Sequence, residues 1–174
     1  VVNCYSTGIP LAVFKEAVLP AAAYAVRQGV VITLENEAHD ESAMPQAIAK
    51  LVQAVNSPGF GTQFDPCNYY HAYVEPYPHA YDVISPHVRY VHLKGGCHYG
   101  SSRPGVFKGS PMRDSERDQI GYLPLPQAAY NVEAILDRLS ADGYAGYITL
   151  EPHVPADDVI RFYEIELPYV RRWI

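Results

Sequence analysis

Glu35, Asp65, His92 and Glu151 are the residues of this chain whose types and places point to chemistry. Each stands at or just beyond the end of a short apolar run: Glu35 after residues 30–34, Asp65 after Phe64, His92 between Val91 and Leu93, and Glu151 after Leu150. Three carboxylates and one imidazole form an oxygen-rich, fairly hard donor set, suited to Mn, Mg, Co or Zn rather than to a soft thiolate metal. One divalent cation is expected here, with Mn first. Taken singly, an acidic residue after a strand also caps the helix that follows, and Asp65 before Pro66 suits such a turn. The recurrence of Glu, Asp and His at four equivalent places is what favours a site.

Those places need elements to hold them. Short β-branched runs alternate with longer amphipathic stretches, the pattern of βα units that build a parallel sheet. Strands are predicted at residues 1–5, 30–34, 61–64, 88–93 and 147–150, with helices at 11–28, 43–55, 79–84, 127–140 and 156–172. Gly29 stops the first helix, and Ser57-Pro58-Gly59 breaks the second. Residues 95–126 are rich in Gly, Pro, Ser and Arg without periodicity and read as a long loop, the kind of segment that is usually functional. In parallel α/β architectures active sites form where strands end and βα loops begin. The sequence thus predicts an α/β fold built on a parallel sheet, as one domain over residues 1–174.

Composition narrows the function classes. A formal net charge of −6 gives no footing for a phosphate backbone, so nucleic acid is disfavoured as a partner. No apolar run approaches the roughly 20 residues that cross a bilayer, and no signal segment opens the chain, so a cytoplasmic protein with no membrane partner is expected. The three cysteines, Cys4, Cys67 and Cys97, lack C-x-x-C spacing and read as reduced thiols.

Four segments resemble the sugar isomerase/epimerase barrels related to xylose isomerase and to the AP endonucleases of the endonuclease IV type. They are Ile32-Thr33-Leu34-Glu35-Asn36-Glu37, Phe64-Asp65-Pro66-Cys67-Asn68, Tyr90-Val91-His92-Leu93-Lys94, and the stretch from Gly143 to Pro152 with its G-Y-x-G turn and terminal Glu. The resemblance spans essentially the whole chain and implies the C-terminal part of a (β/α)8 barrel, from about strand 4 to strand 8. It implies that Glu35, Asp65, His92 and Glu151 hold one divalent cation. It also implies that Glu35 and Glu151 face opposite sides of a sugar or sugar-like polyol and exchange protons next to its carbonyl through an enediolate.

The chain departs from that pattern in two places. Many relatives carry a histidine where Asn68 stands; an amide hydrogen-bonds a hydroxyl but cannot shuttle a proton, so Asn68 is expected as a substrate contact. The DNA-repair branch needs an Asp-x-His pair in the loop after His92, and no histidine occurs between His98 and His153, which disfavours an AP endonuclease. Lys94 and His98 are further substrate-contact candidates, Lys94 to steady a developing oxyanion. Glu37 and His39 are candidate partners of the metal ligands. His71, His79 and His87 are expected at the surface, and Arg103, Lys108, Arg113 and Arg117 either catch an anionic substrate group or are simply solvated.

A closed barrel of this kind takes about 250 residues and eight strands, so residues belonging to strands 1 to 3 are expected before Val1 or from another chain. A homo-oligomer is compatible with that. The first expectation for function is a metal-dependent isomerase or epimerase of a sugar or polyol. An inosose-type dehydratase would use the same metal and proton abstraction, and a non-catalytic barrel keeping a structural cation is the reading from a different class.

Overall fold

Parallel strands with helices between them are what the alternating pattern predicts, and the computed structural model, which describes residues 1–98, 107–111 and 119–173, has them. The chain divides into two compact units, Val1–Val91 and His92–Ile174, the boundary falling inside one strand.

In the first unit β1 (Val2–Cys4), β2 (Ile32–Glu35), β3 (Phe60–Phe64) and the start of β4 (Val88–Leu93) pair in parallel in chain order. Their register aligns Asn3 with Thr33 and Glu35 with Gln63, and aligned residues of parallel strands point to the same face. One face therefore carries Asn3, Thr33, Glu35 and Gln63. The other carries Leu34, Phe60 and Phe64, which meet the helices: Phe60 lies 6.5 Å from Phe14, and Phe64 lies 6.0 Å from Tyr69 and 5.3 Å from Tyr81, centroid to centroid.

Helix α1 (Leu11–Gln28) buries Leu11, Val18, Ala22 and Ala25 along one stripe and ends at Gly29, whose φ of 64° is the left-handed conformation a C-terminal stop requires. α2 (Pro45–Val55) starts on Pro45, as the missing proline N–H suits a first turn, and buries Ile48, Ala49, Leu51, Val52 and Val55. Gly59 lets β3 begin against α1; a Cβ there would sit 2.5 Å from the Ala22 carbonyl oxygen. Short α3 (Pro66–His71), which the sequence reading did not resolve, and α4 (Tyr81–Ile84) precede β4.

In the second unit the end of β4 receives β8 (Ile148–Leu150), with the Glu151 N–H donating to the Leu93 carbonyl at 2.9 Å. The segment predicted as a long loop instead contains β5 (Gly96–His98), β6 (Phe107–Pro111) and β7 (Gln119–Tyr122), an antiparallel sheet in the order β5-β7-β6. Strands of three to five residues are too short to show alternation, and their pairing is between residues distant in the chain. α5 (Val132–Ala141) starts later than its apolar pattern suggests because Asn131 caps it, accepting the Ala134 N–H at 3.0 Å. It buries Val132, Ile135, Leu136 and Leu139, and α6 (Ala156–Val170) buries Phe162 and Val170. No helix among the described residues is long and apolar enough to cross a membrane.

α6 also buries a charge-bearing group. Glu166 is fully buried, accepts the Leu125 N–H at 3.0 Å through Oε1, and has no partner for Oε2 among the described residues. Burial pushes its pKa up from 4.5 to about 7, only partly opposed by the Leu125 N–H. A carboxyl that binds its proton more tightly when folded stabilises the fold below its unfolded pKa, and that contribution is lost as pH rises through the folded value. Stability should therefore fall between about pH 4.5 and about pH 7 on this group's account. Glu166→Gln keeps the acceptor for Leu125 and removes the ionisation. Denaturant titrations should show the variant equal to wild type in acid and about 1–3 kcal/mol more stable at pH 8.

Candidate active site

Each unit presents site residues where its parallel strands end. In the first, Glu35 closes β2 and is 1% exposed. Asn3, on the neighbouring β1, donates its Nδ2–H to Glu35 Oε2 at 2.7 Å and is itself held by the Thr33 hydroxyl at 3.1 Å. Asn68 donates to Glu35 Oε1 at 3.2 Å and to the Asn36 carbonyl at 2.9 Å. Asp65 ends β3 and is fully buried; its Oδ1 caps α3 by accepting the Asn68 N–H at 3.0 Å, and Pro66 follows in the first helical position. Asn36 brackets the Asp65 backbone, its Nδ2–H donating to the Asp65 carbonyl at 2.9 Å and its Oδ1 accepting the Asp65 N–H at 2.8 Å. Two buried carboxylates are thus held in place by three carboxamides. Burying a carboxylate as an anion is costly without a compensating partner, and a cation supplies one.

In the second unit Glu151 follows β8. Lys94 Nζ lies 2.8 Å from its Oε2, His153 Nε2 3.3 Å and His92 Nδ1 3.5 Å from the same oxygen. Burial works to raise the Glu151 pKa, but the hydrogen bonds from His153 and His92 and the charge of Lys94 outweigh it and hold the carboxyl well below the usual carboxylate range. Lys94 is 3% exposed, and its backbone carbonyl accepts the Tyr130 hydroxyl. His92 is 8% exposed. The Tyr122 ring stands 4.8 Å from that of His153.

Of the residues expected from the sequence, Glu35, Asp65 and Asn68 meet in the first unit, and His92, Lys94 and Glu151 meet in the second. His98 lies on β5 opposite Ile120. Arg103, Arg113 and Arg117, and the side chain of Lys108, lie outside the described residues. His71, expected at the surface together with His79 and His87, is instead buried at 5% exposure, edge-on to His39 with centroids 5.6 Å apart. α3 turns it inward, a placement that a six-residue helix too short for periodicity does not announce. Among the cysteines, burial pushes the Cys4 thiol up to about 11, and Cys67 and Cys97 are buried. Asn3, Asn36, Tyr130 and His153 are site residues the sequence reading missed. Asn36 and His153 stand one and two residues beyond a glutamate already singled out, a signal that was present; Asn3 and Tyr130 act through register and distant packing and left none.

Residues 10–165 match the family model described as xylose isomerase-like TIM barrel. Among solved structures, the chain is similar to the probable 3-DHS dehydratase AsbF, involved in petrobactin synthesis, from Bacillus anthracis (13% identity, TM-score 0.66, covering 97% of this chain and 61% of that one). It is likewise similar to a xylose isomerase-like TIM barrel protein from Mycobacterium smegmatis in complex with magnesium (16% identity, TM-score 0.62, 92% and 51%). A third is the 3-keto-D-glucoside 4-epimerase YcjR from E. coli (16% identity, TM-score 0.61, 93% and 53%). At such identities the likeness is one of fold. The chain spans between about half and three-fifths of the length of these structures, so its fold is a partial (β/α)8 barrel. Among curated proteins no sequence matches it.

Proposed function

Because the chain belongs to the xylose isomerase-like TIM barrel family, we propose that it serves a metal-dependent isomerase or epimerase acting on a sugar or sugar-like polyol, with its two units forming parts of one barrel domain. Glu35, Asp65, His92 and Glu151 would together hold one divalent cation, Mn before Mg, Co or Zn. The magnesium complex of a fold neighbour and the buried, amide-held carboxylates Glu35 and Asp65 support a hard cation here. A bound cation supplies Lewis-acid stabilisation of charge on a substrate oxygen.

The contrast between the two glutamates carries the proposal. Glu35 is held by neutral carboxamides, whereas Glu151 is held by an ammonium and two imidazoles. Unlike surroundings are what allow a pair of carboxyl groups to take different parts in acid–base chemistry. One removes the proton from the carbon next to the carbonyl, and the other returns a proton to the neighbouring position or to the opposite face. The negative charge that builds on the oxygen as the C–H bond breaks is met by the Lys94 ammonium, and Asn68 and His98 contact substrate hydroxyls. A dehydratase reading shares the first proton transfer and differs in expelling a β-hydroxyl as water; the probable dehydratase among the fold neighbours favours keeping it as the second reading.

Solvent-deuterium exchange tests this. The protein loaded with Mn and offered a panel of ketoses and inososes in D2O is expected to place deuterium on the carbon next to the carbonyl of at least one of them. Exchange should stop on chelation and return with Mn. A dehydrated product would select the second reading, and stoichiometric Mn without exchange across the panel would leave a non-catalytic metal-binding barrel.

A further inference from the structure

A cavity of about 510 Å³ opens in the first unit beside the end of β2, lined by Tyr5, Thr7, Gly8, Glu37, His39 and Asp40. The volume is that of a small-molecule site. Its walls are tied together. Asp40, on the β2–α2 loop, accepts the Ser6 hydroxyl and the Gly8 N–H at 3.2 Å from the β1–α1 loop, and the Ser42 N–H at 2.8 Å and hydroxyl at 2.6 Å from its own. One position later Glu41 accepts the Leu11 N–H at 2.8 Å, so both loops are fastened across their span before any ligand arrives.

The lining chemistry is specific. Burial works to raise the Asp40 pKa, but the hydrogen bonds from Ser42, Ser6 and Gly8 outweigh it, so this wall carries a fixed negative charge with its oxygens already bonded. Glu37 brings a second carboxylate, and no Lys or Arg stands among the described residues that line the cavity. His39 is exposed into it and backed by the buried ring of His71. Thr7 stands at φ 52°, a conformation β-branched residues rarely adopt, with its hydroxyl bonded to the Ser6 carbonyl at 2.8 Å. Tyr5 is 44% exposed and lines the cavity.

We propose that this cavity seats the uncharged, hydroxyl-rich end of the substrate and rejects a phosphorylated one, with Glu37 and His39 bonding hydroxyls and Tyr5 packing on the carbon skeleton. The inference rests on the isomerase or epimerase reading for the place of the reacting carbon, since Glu37 follows Glu35 by two residues. It deepens that reading by assigning the substrate class: a free sugar or cyclitol rather than a sugar phosphate. Carboxylates attract the hydroxyl hydrogens of a neutral polyol and repel a phosphate dianion, by about tenfold in affinity for each charge pair at close range.

The test is binding without metal, so that no cation attracts phosphate. Equilibrium titrations followed by ligand NMR would compare D-fructose, myo-inositol and D-fructose 6-phosphate on wild type, His39→Ala and Glu37→Lys. Expected are fructose or inositol binding about tenfold or more tighter than the phosphate, a loss of that binding in His39→Ala, and reversal of the preference in Glu37→Lys. The proposal is overturned if the phosphate binds as tightly as the free sugar, if His39→Ala and Glu37→Lys both leave the preference unchanged, or if none of the three compounds binds. Loss of deuterium exchange with these preferences intact would overturn the catalytic reading and leave the cavity assignment standing.

Discussion

Glu151→Gln is expected to lower solvent-deuterium incorporation by about 10²–10⁴-fold, the span that one positioned acid–base group contributes. The amide keeps the shape and an acceptor oxygen but cannot take up a proton. The substitution has a second consequence, because it removes the carboxylate that lies 2.8 Å from the buried Lys94 ammonium. Removing one member of a buried ion pair costs about 3–5 kcal/mol, and the lower end applies here because Glu151 is itself 31% exposed along its side chain. A double variant, Glu151→Gln with Lys94→Met, should regain much of that stability in a thermal or denaturant melt while its exchange stays absent. That pair of readouts separates lost chemistry from lost folding.

Asp65→Asn should weaken Mn binding by about 100-fold or more, exceeding the 10–100-fold that residues behind the ligands typically control. Asn is a competent helix cap, so the bond to the Asn68 N–H and the start of α3 survive. Isothermal titration with Mn should show the affinity falling while the melting transition of the apoprotein stays in place. An unchanged Mn affinity would remove Asp65 from the ligand set.

Much of this site was legible in the sequence because parallel strands write their ends plainly. A run such as Ile32-Thr33-Leu34 followed by Glu35 states both the strand and the carboxylate that ends it. The same held for Phe64-Asp65 and Leu150-Glu151, and Gly29 fixed the end of α1 because only a left-handed residue closes a helix in that way. What was not legible depends on partners far along the chain. Asn3 holds Glu35 across a separation of 32 residues, and Tyr130 reaches Lys94 across 36. Neither spacing has a local signature. The antiparallel sheet of β5, β6 and β7 was hidden for a related reason, since strands rich in Gly and Pro show no alternation and are defined by pairing alone. His71 illustrates the same limit on a smaller scale: the ring is buried by the turn of α3, and a lone histidine in a six-residue helix carries no sign of which way it faces.

Anomalous scattering from crystals grown with Mn decides whether the four side chains share one cation. One peak per chain is expected, with Glu35, Asp65, His92 and Glu151 all within bonding distance of it. A peak that lacks either the Glu35–Asp65 pair or the His92–Glu151 pair among its ligands, or no peak at saturating Mn, would contradict that arrangement.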